Sequence, residues 1–399
     1  MGYMQCKRCV MDNLSDPTIM FDNEGDCNYC SDALRAKEVV YFPNDIGKKK
    51  LEKFFDDLKA KRMKEKYDCM LGLSGGLDSS YAAYIGHTYG LRMLAIHIDD
   101  GFDTPVTTAN INKICNKFSI DLIIEKPDPV LFADLTKAFI RAGVPNIAIP
   151  QDNVLFACLY RFAKENKIDC FLNGGNFALE SILQKGNTYD ASDKKHILSI
   201  WKRFGEKYDP GNLPIFSVFE KKFVYQYLHK ITFFRPLNFL DYNAKNAFET
   251  LSKSCGFEYY GDKHCESIFT KFMQRYYLPT KFRVDKRKSH YSSMIVSGQM
   301  TRQEALDRLK EPLYEKDDFE YDLNFILSNL KMSKNEFDRI MYESPKSHLD
   351  YPTSRINNTA RYLLKFRKLI LKYTAVQDSS NFKMPSCNSK ALLIVIGHI

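Results

Sequence analysis

Residues 71–80 read LGLSGGLDSS, and the placement of this run decides the fold. Before it stands the short apolar run YDCML, and after it comes YAAYIGHTYGL, whose apolar positions recur at helical spacing. The order is therefore strand, tight loop, helix. A Walker-type phosphate loop needs a lysine after its glycines, which this run lacks, and the dinucleotide fingerprint G-x-G-x-x-G does not fit either. A different anion cradle is required. Ser74, Gly75 and Gly76 let backbone N–H groups point inward without side-chain obstruction, while the helix that begins near Asp78 presents its positive N-terminal end. Ser79 and Ser80 add hydroxyl donors, and Asp78 is suited to hold the magnesium that accompanies a nucleotide.

The rest of the first half follows the same rhythm. RMLAIHIDDGF, DLIIEK and IDCFLNGGN read as three further strands, each separated by helical stretches of suitable length. Such alternation predicts an α/β fold with a doubly wound parallel sheet. Ligands in these sheets lie beyond the carboxyl ends of the strands, which is where Ser74, Asp99, Gly174, Gly175 and Asn176 all fall.

Composition sets wider limits. A chain of 399 residues with 44% hydrophobic and 14% aromatic content has enough apolar surface for a large core, which excludes a disordered protein. No stretch approaches the roughly 20 apolar residues that cross a bilayer, and no signal-peptide core follows Met1, so the expected setting is cytoplasmic. The net charge of +9 permits an anionic partner without selecting one. The lysines of GKKKLEKFFDDLKAKRMKEKYD solvate a helix whose other face carries Leu51, Phe54, Phe55, Leu58 and Met63.

Seven cysteines are scattered, mostly among apolar neighbours, as small core residues of a reducing compartment. Four are different. Cys6 and Cys9 form one C-x2-C knuckle and Cys27 and Cys30 another, a spacing that aims four thiolates at one tetrahedral ion. Structural zinc is the favoured occupant; an iron–sulfur cluster also takes four thiolates.

On these residues the chain resembles known enzymes. SGGLDSS resembles the pyrophosphate loop of the PP-loop ATP pyrophosphatases, the HUP-like class that includes asparagine synthetase, GMP synthetase and tRNA-thiolating enzymes. The resemblance implies cleavage of ATP between its α- and β-phosphates, attachment of AMP to an oxygen, and its release on attack by nitrogen or sulfur. It also implies that the second strand, around Ile96 and Asp99, lines the nucleotide pocket. From CKRC and CNYC, through SGGLDSS and NGGNFALES, to the segment that begins DKHCESIFTKF, the chain is similar to the WbpG-like N-acetyl sugar amidotransferases of bacterial surface-polysaccharide biosynthesis.

That family implies a specific reaction. ATP with Mg2+ adenylates the acetamido group of a UDP-linked N-acetyl sugar, and ammonia replaces the oxygen to give an acetamidino group. Asp78, Lys263, Glu266 and Lys286 are the expected catalytic residues, and Glu180 is a further carboxylate suited to orient ammonia. The ATP and pyrophosphate site takes Ser74, Gly75, Gly76, Asp78, Ser79, Ser80, Ile96, Asp99, Gly174, Gly175 and Asn176. Residue 2 is Gly rather than a cysteine nucleophile, and no glutaminase constellation is recognisable. The chain therefore reads as a synthetase half, with ammonia supplied by a separate glutaminase and a cyclase-like barrel subunit; no nucleic-acid partner is expected, and the oligomeric state is open. The alternative is tRNA thiolation, which would need a sulfur-carrying cysteine or cluster near the loop.

Within TKFRVDKRKSHY, the basic residues Lys281, Arg283, Lys286, Arg287 and Lys288 offer a grip for a diphosphate, or equally a solvated basic loop. Beyond residue 300 the chain reads as helical, with capping boxes at Thr301 to Glu304 and Ser333 to Glu336. NNTARYLLKFRKLILKY is a further amphipathic helix, QDSSNFKMPSCNSK has linker composition, and the final apolar run ALLIVIGHI is too short to span a bilayer and reads as a buried strand. The expected organisation is a four-cysteine metal-binding module over 1–45, an ATP-binding α/β domain over 46–240, a mainly helical region over 241–375 for substrate or partner, and a tail over 376–399.

Overall fold

The computed structural model describes residues 2–261, 263 and 265–354. Five parallel strands form one sheet: β1 (Cys69–Gly72), β2 (Met93–Ile98), β3 (Asp121–Glu125), β4 (Cys170–Leu172) and β5 (Thr232–Phe234), in the order β3-β2-β1-β4-β5. The doubly wound α/β sheet expected from the strand pattern is present. Winding runs outward from β1 through β2 to β3, then returns to the other side of β1 for β4 and β5. The strand order therefore reverses between β1 and β4, and a crevice opens there beyond their carboxyl ends.

Period-two burial explains why short strands suffice. Cys69, Leu71 and Leu73 pack into one core together with Met93, Ala95, Cys170 and Leu172, whereas Met70, Leu94, Ile96 and Phe171 pack into the core on the opposite face. The first core is roofed by the helices Asp45–Lys61, Leu77–Thr88, Pro105–Phe118 and Ala244–Cys255, through residues such as Phe55, Ala83, Ile114 and Leu251. The second is covered by the helix Ile149–Glu165, where Tyr160 is fully buried. In Asp45–Lys61 the apolar stripe runs as expected over Leu51, Phe54, Phe55 and Leu58, but Met63 does not belong to it. It lies past the C-cap at Arg62 and is exposed.

A third core is built mainly by helices. Pro129–Arg141, Lys194–Phe204, Ile268–Phe272, Lys316–Leu330 and Lys334–Tyr342 close around Phe139, Trp201, Phe269 and Phe337, which gives the chain the helical C-terminal region that its caps announce. Asp134 is among the carboxylates buried in this layer. Asp134 accepts from Trp201 Nε1 at 2.8 Å, Glu206 N at 2.9 Å and Lys207 N at 2.7 Å, so its charge is solvated by donors in place of water. Thr301 and Glu304 form the full reciprocal capping box, while Ser333 accepts from Glu336 N at 3.2 Å as the cap of Lys334–Tyr342. The amphipathic stretch NNTARYLLKFRKLILKY, Cys387 and the tail lie outside the described residues. No helix among the described residues is long and apolar enough to cross a membrane.

Candidate active site

The loop after β1 and the loop after β4 meet at the reversal point. Gly75 has φ +73°, and a Cβ there would come within 2.5 Å of Thr107 Cγ2 and 2.7 Å of Thr107 O. Only glycine fits between loop and helix at this position. Ser74 Oγ accepts from Gly76 N at 3.3 Å and sits 3.0 Å from Ser79 Oγ, which also lies 3.2 Å from Gly76 O. The helix Leu77–Thr88 begins at Gly76 with no side-chain cap, so its N-terminal dipole faces the crevice, and Leu77 N donates to Tyr260 OH at 2.7 Å.

Gly174 lets the β4 loop approach that helix. A Cβ at this position would sit 2.6 Å from both the Asp78 carbonyl carbon and Ser79 N. Gly174→Ala is therefore expected to force the two loops apart and to lower stability by about 1–3 kcal/mol, read as an earlier urea midpoint at unchanged m-value. Asn176 is buried and caps the short helix Phe177–Glu180, accepting from Leu179 N at 3.0 Å. It shapes the loop from within.

Charge converges on one ammonium. Lys263 Nζ lies 2.8 Å from Asp78 Oδ2 and 2.9 Å from Glu180 Oε1, while Asp78 Oδ1 accepts from the buried Tyr242 hydroxyl. Burial alone would lower the Lys263 amine, but the two carboxylates outweigh it and hold it above the usual lysine range. The segment that carries Lys263 and Glu266 is laid across the start of Pro105–Phe118. Thr104 N and Thr107 Oγ1 donate to Glu266 O at 3.2 and 3.0 Å, Ile268 N donates to Phe102 O at 2.9 Å, and Asn110 exchanges two hydrogen bonds with the Glu258 backbone. This brings Glu266 Oε1 within 3.0 Å of where a Cβ on Gly76 would stand.

These groups border a cavity of about 620 Å3, a volume suited to a nucleotide together with part of an acceptor. Ser74, Ile96, Gly175, Glu180, Lys263 and Glu266 line it, and so does Lys286 from the helical region. Asp78 stands behind Lys263. Gly76, Ser79, Gly174 and Asn176 shape the loops without being among the lining residues, and Ser80 is fully buried with its hydroxyl unpaired. Asp99 turns toward the exposed Lys126, 2.7 Å away.

Residues that spacing did not single out complete the wall. Asp100, next to Asp99, lines the cavity and accepts from Gln151 Nε2 and from Phe102 N at 3.1 Å. Burial, with Asp103 nearby, pushes its carboxyl up to about 7. A folded-state pKa above the unfolded value means that the native protein binds the extra proton, so stability is highest below about pH 4 for this group and falls as pH rises through 7. Asp100→Asn is expected to flatten that part of the stability profile, measured by denaturant melts at several pH values. His97 bridges from Leu73 O at 3.0 Å to Asp103 at 2.9 Å, and Arg235 enters from the end of β5. The signal for Arg235 was the ITFFR run, an apolar stretch ending in a cation.

The four cysteines form a separate centre. Their sulfurs all lie within 4.8 Å of one another, with Cys6 to Cys30 at 3.7 Å and Cys9 to Cys27 at 3.5 Å. A tetrahedral ion with bonds of about 2.3 Å needs sulfur separations near 3.8 Å, so the cluster fits a metal. Cys9 N and Cys27 N donate to Cys6 Sγ at 3.4 and 3.2 Å, and Arg8 approaches Cys30 Sγ at 3.8 Å while pairing with Asp26, all of which favour thiolates. For Mg2+, Asp78 and Glu180 offer the hard oxygens such an ion takes, with Lys263 now neutralising both.

The fold is a parallel α/β sheet in which two glycine-bearing loops meet at the carboxyl ends of β1 and β4. Residues 266–366 match the family described as LPS biosynthesis protein WbpG-like, C-terminal domain. No curated protein matches the chain. Among solved structures, it is similar to an NH3-dependent NAD synthetase from Campylobacter jejuni at 14% identity, covering 75% of this chain and 98% of that one with a TM-score of 0.31. An NAD+ synthetase from Burkholderia pseudomallei matches at 15% identity, 75% and 95% coverage and a TM-score of 0.33; an NMN synthetase from Francisella tularensis matches at 16%, 53% and 92%, and 0.27.

Proposed function

We propose that the chain is the synthetase part of an ATP-dependent amidotransferase of the PP-loop class, acting on the acetamido group of a nucleotide-linked N-acetyl sugar. The observation that carries this reading is the meeting of the Ser74 to Gly76 loop with the Gly174 to Gly175 loop beside the Asp78–Lys263–Glu180 cluster. The WbpG-like segment supports a place in surface-polysaccharide synthesis.

The acetamido oxygen attacks the α-phosphorus of ATP, and the bond to the bridging oxygen breaks, releasing pyrophosphate. Ammonia then attacks the activated carbon and AMP leaves with the former amide oxygen, giving an acetamidino group. Lys263 and the Gly76 end of the loop stabilise the charge that develops on the leaving pyrophosphate. Magnesium, when bound by Asp78 and Glu180, adds Lewis-acid charge neutralisation to that step. Glu266, at the mouth of the loop, is suited to take the proton that the attacking nitrogen sheds. Zinc at the four cysteines organises the N-terminal residues.

The test is AMP and pyrophosphate release from ATP with ammonium and a panel of UDP-linked 2-acetamido sugars, with tRNA plus a sulfur donor as a parallel acceptor. Release that depends on one sugar, with a product about one mass unit lighter as O is exchanged for NH, is the expected result. Release only with tRNA and sulfur moves the protein to the thiolation class. In the same assay, Lys263→Met is expected to lower turnover about a hundredfold or more, because it removes a cation aimed at the leaving group.

A further inference from the structure

The cavity has a second wall, and the four-cysteine module holds it. Leu183, Asn187 and Thr188 of one segment and Lys286, Ser289 and His290 of another line this side. The first segment is strapped to the module by three bonds. Lys185 N donates to Tyr29 OH at 3.0 Å, Gly186 N to Asp16 Oδ2 at 3.1 Å, and Asn187 Nδ2 to Ser15 O at 2.7 Å. Tyr29 OH in turn donates to Asp16 at 2.5 Å, and both residues are buried. Gly186 lies so close that a Cβ would stand 2.3 Å from Asp16 Oδ1.

The second segment is gripped from the metal knuckle itself. Arg302 donates to Cys9 O and Cys6 O, each at 3.1 Å, Val10 N donates to Ser292 Oγ at 3.2 Å, and Lys288 pairs with the fully buried Asp12. The carbonyls that Arg302 holds belong to two of the four cysteines. Arg302 opens the neighbouring helix Arg302–Arg308, whose Ala305 packs with Val10 and Tyr291, so the seat of the helix Arg287–Ser297 depends through this cluster on how the thiolates are gathered.

The basic run on this wall is mostly spoken for. Lys281 donates to Ile340 O and Glu343 O at 2.5 and 2.7 Å, Arg287 to Asp285 and to Glu311 O at 2.9 Å, and Lys288 to Asp12. Lys286 differs. It lines the cavity without an ion-pair partner among the described residues, and burial pushes its amine down to about 8 against the pull of Asp16. An anion beside it would restore a fully charged ammonium.

We propose that the wall carrying Lys286 is the anion subsite for a nucleoside diphosphate, and that the four-cysteine module is the frame that positions it. The ligand class rests on the function proposed above; the strapping of the wall does not. Tyr29 and Arg302 act as positioning residues, through the wall.

The experiment uses the full chain loaded with metal, with the ATP site first filled by α,β-methylene ATP and UDP then titrated calorimetrically. Lys286→Met is expected to weaken UDP about tenfold or more while leaving the affinity for the ATP analogue unchanged. Tyr29→Phe and Arg302→Met, each retaining its metal, are expected to weaken UDP several-fold and to speed amide exchange at 185–187 and 287–292 respectively. Chelator-treated protein should show both effects together and still bind the analogue. If Lys286→Met weakens the analogue instead, the lysine serves ATP and the subsite is wrong. Unchanged UDP affinity and exchange after metal removal would sink the framing role. Sugar-dependent AMP release with UDP binding insensitive to Lys286 overturns the subsite and keeps the amidotransferase; Lys286-dependent UDP binding without such release does the reverse.

Discussion

Asp78→Ala is expected to lower AMP and pyrophosphate release by about a hundredfold to a thousandfold or more, the scale seen when a group aimed at developing charge is removed. Asp78 sits in the first turn of the helix that follows the loop, and its two oxygens hold Tyr242 and Lys263. Without it, Lys263 is drawn to Glu180 alone and leaves the mouth of the loop. As a proposed metal ligand rather than a core side chain, Asp78 is expected to leave the fold intact when removed, and the structure adds a cost in stability. Tyr242 is buried, and its hydroxyl would lose its acceptor, which costs about 1–3 kcal/mol. The expected variant is therefore dead but folded, with an earlier cooperative melt. Asp78→Asn separates the two effects: it keeps an acceptor for Tyr242 and loses the charge, so stability should return while turnover does not. Wild-type turnover in either variant would remove Asp78 from the site.

Cys27→Ser is expected to have the largest effect on stability. Cys27 supplies one of four gathered sulfurs and also caps the helix Asn28–Val40, where its Sγ accepts from Cys30 N at 3.4 Å. In isolated zinc peptides the metal contributes about 10–16 kcal/mol of apparent binding energy that is coupled to folding. Even a fraction of that is comparable with the whole stability of a domain. Metal analysis should fall from one ion per chain to none, and the melting temperature should drop by many degrees. Metal content and melting that match the wild type would refute the metal centre. Absorption of the purified protein settles its identity, since zinc is colourless and an iron–sulfur cluster is not.

Much of the site was legible because it is local. The strand, the Ser-Gly-Gly turn and the helix at Asp78 are contiguous, and period-two burial along Cys69 to Leu73 needs only neighbouring residues to be read. The two cysteine knuckles were legible for the same reason. Asp99 and Asp100 show the limit. Both follow β2, and nothing in the pattern tells which one turns inward; Lys126, at the end of β3, draws Asp99 outward and leaves Asp100 to the cavity. Glycine roles split in the same way. Gly75 reads as a loop residue in sequence, while the need for Gly174 arises only because the backbone of Asp78 and Ser79 passes against it.

The basic run near residue 286 makes the distinction plainest. As a string it is five equivalent cations, a grip or a solvated loop. Folding assigns Lys281 to helix-terminal carbonyls, Arg287 to Asp285 and Lys288 to Asp12, turns Arg283 outward as the exposed C-cap of Leu278–Phe282, and leaves Lys286 to the cavity. By itself the sequence determined the parallel α/β sheet, the glycine-bearing loop after β1 and the two cysteine knuckles, since each is written in residues that are neighbours along the chain. Only the tertiary structure decided that Lys263 lies between Asp78 and Glu180, residues 185 and 83 positions away, and that the four-cysteine segment grips the far wall of the same cavity. Contacts of such separation depend on how the layers pack, and packing is set by summed burial over the whole core, which no local pattern encodes.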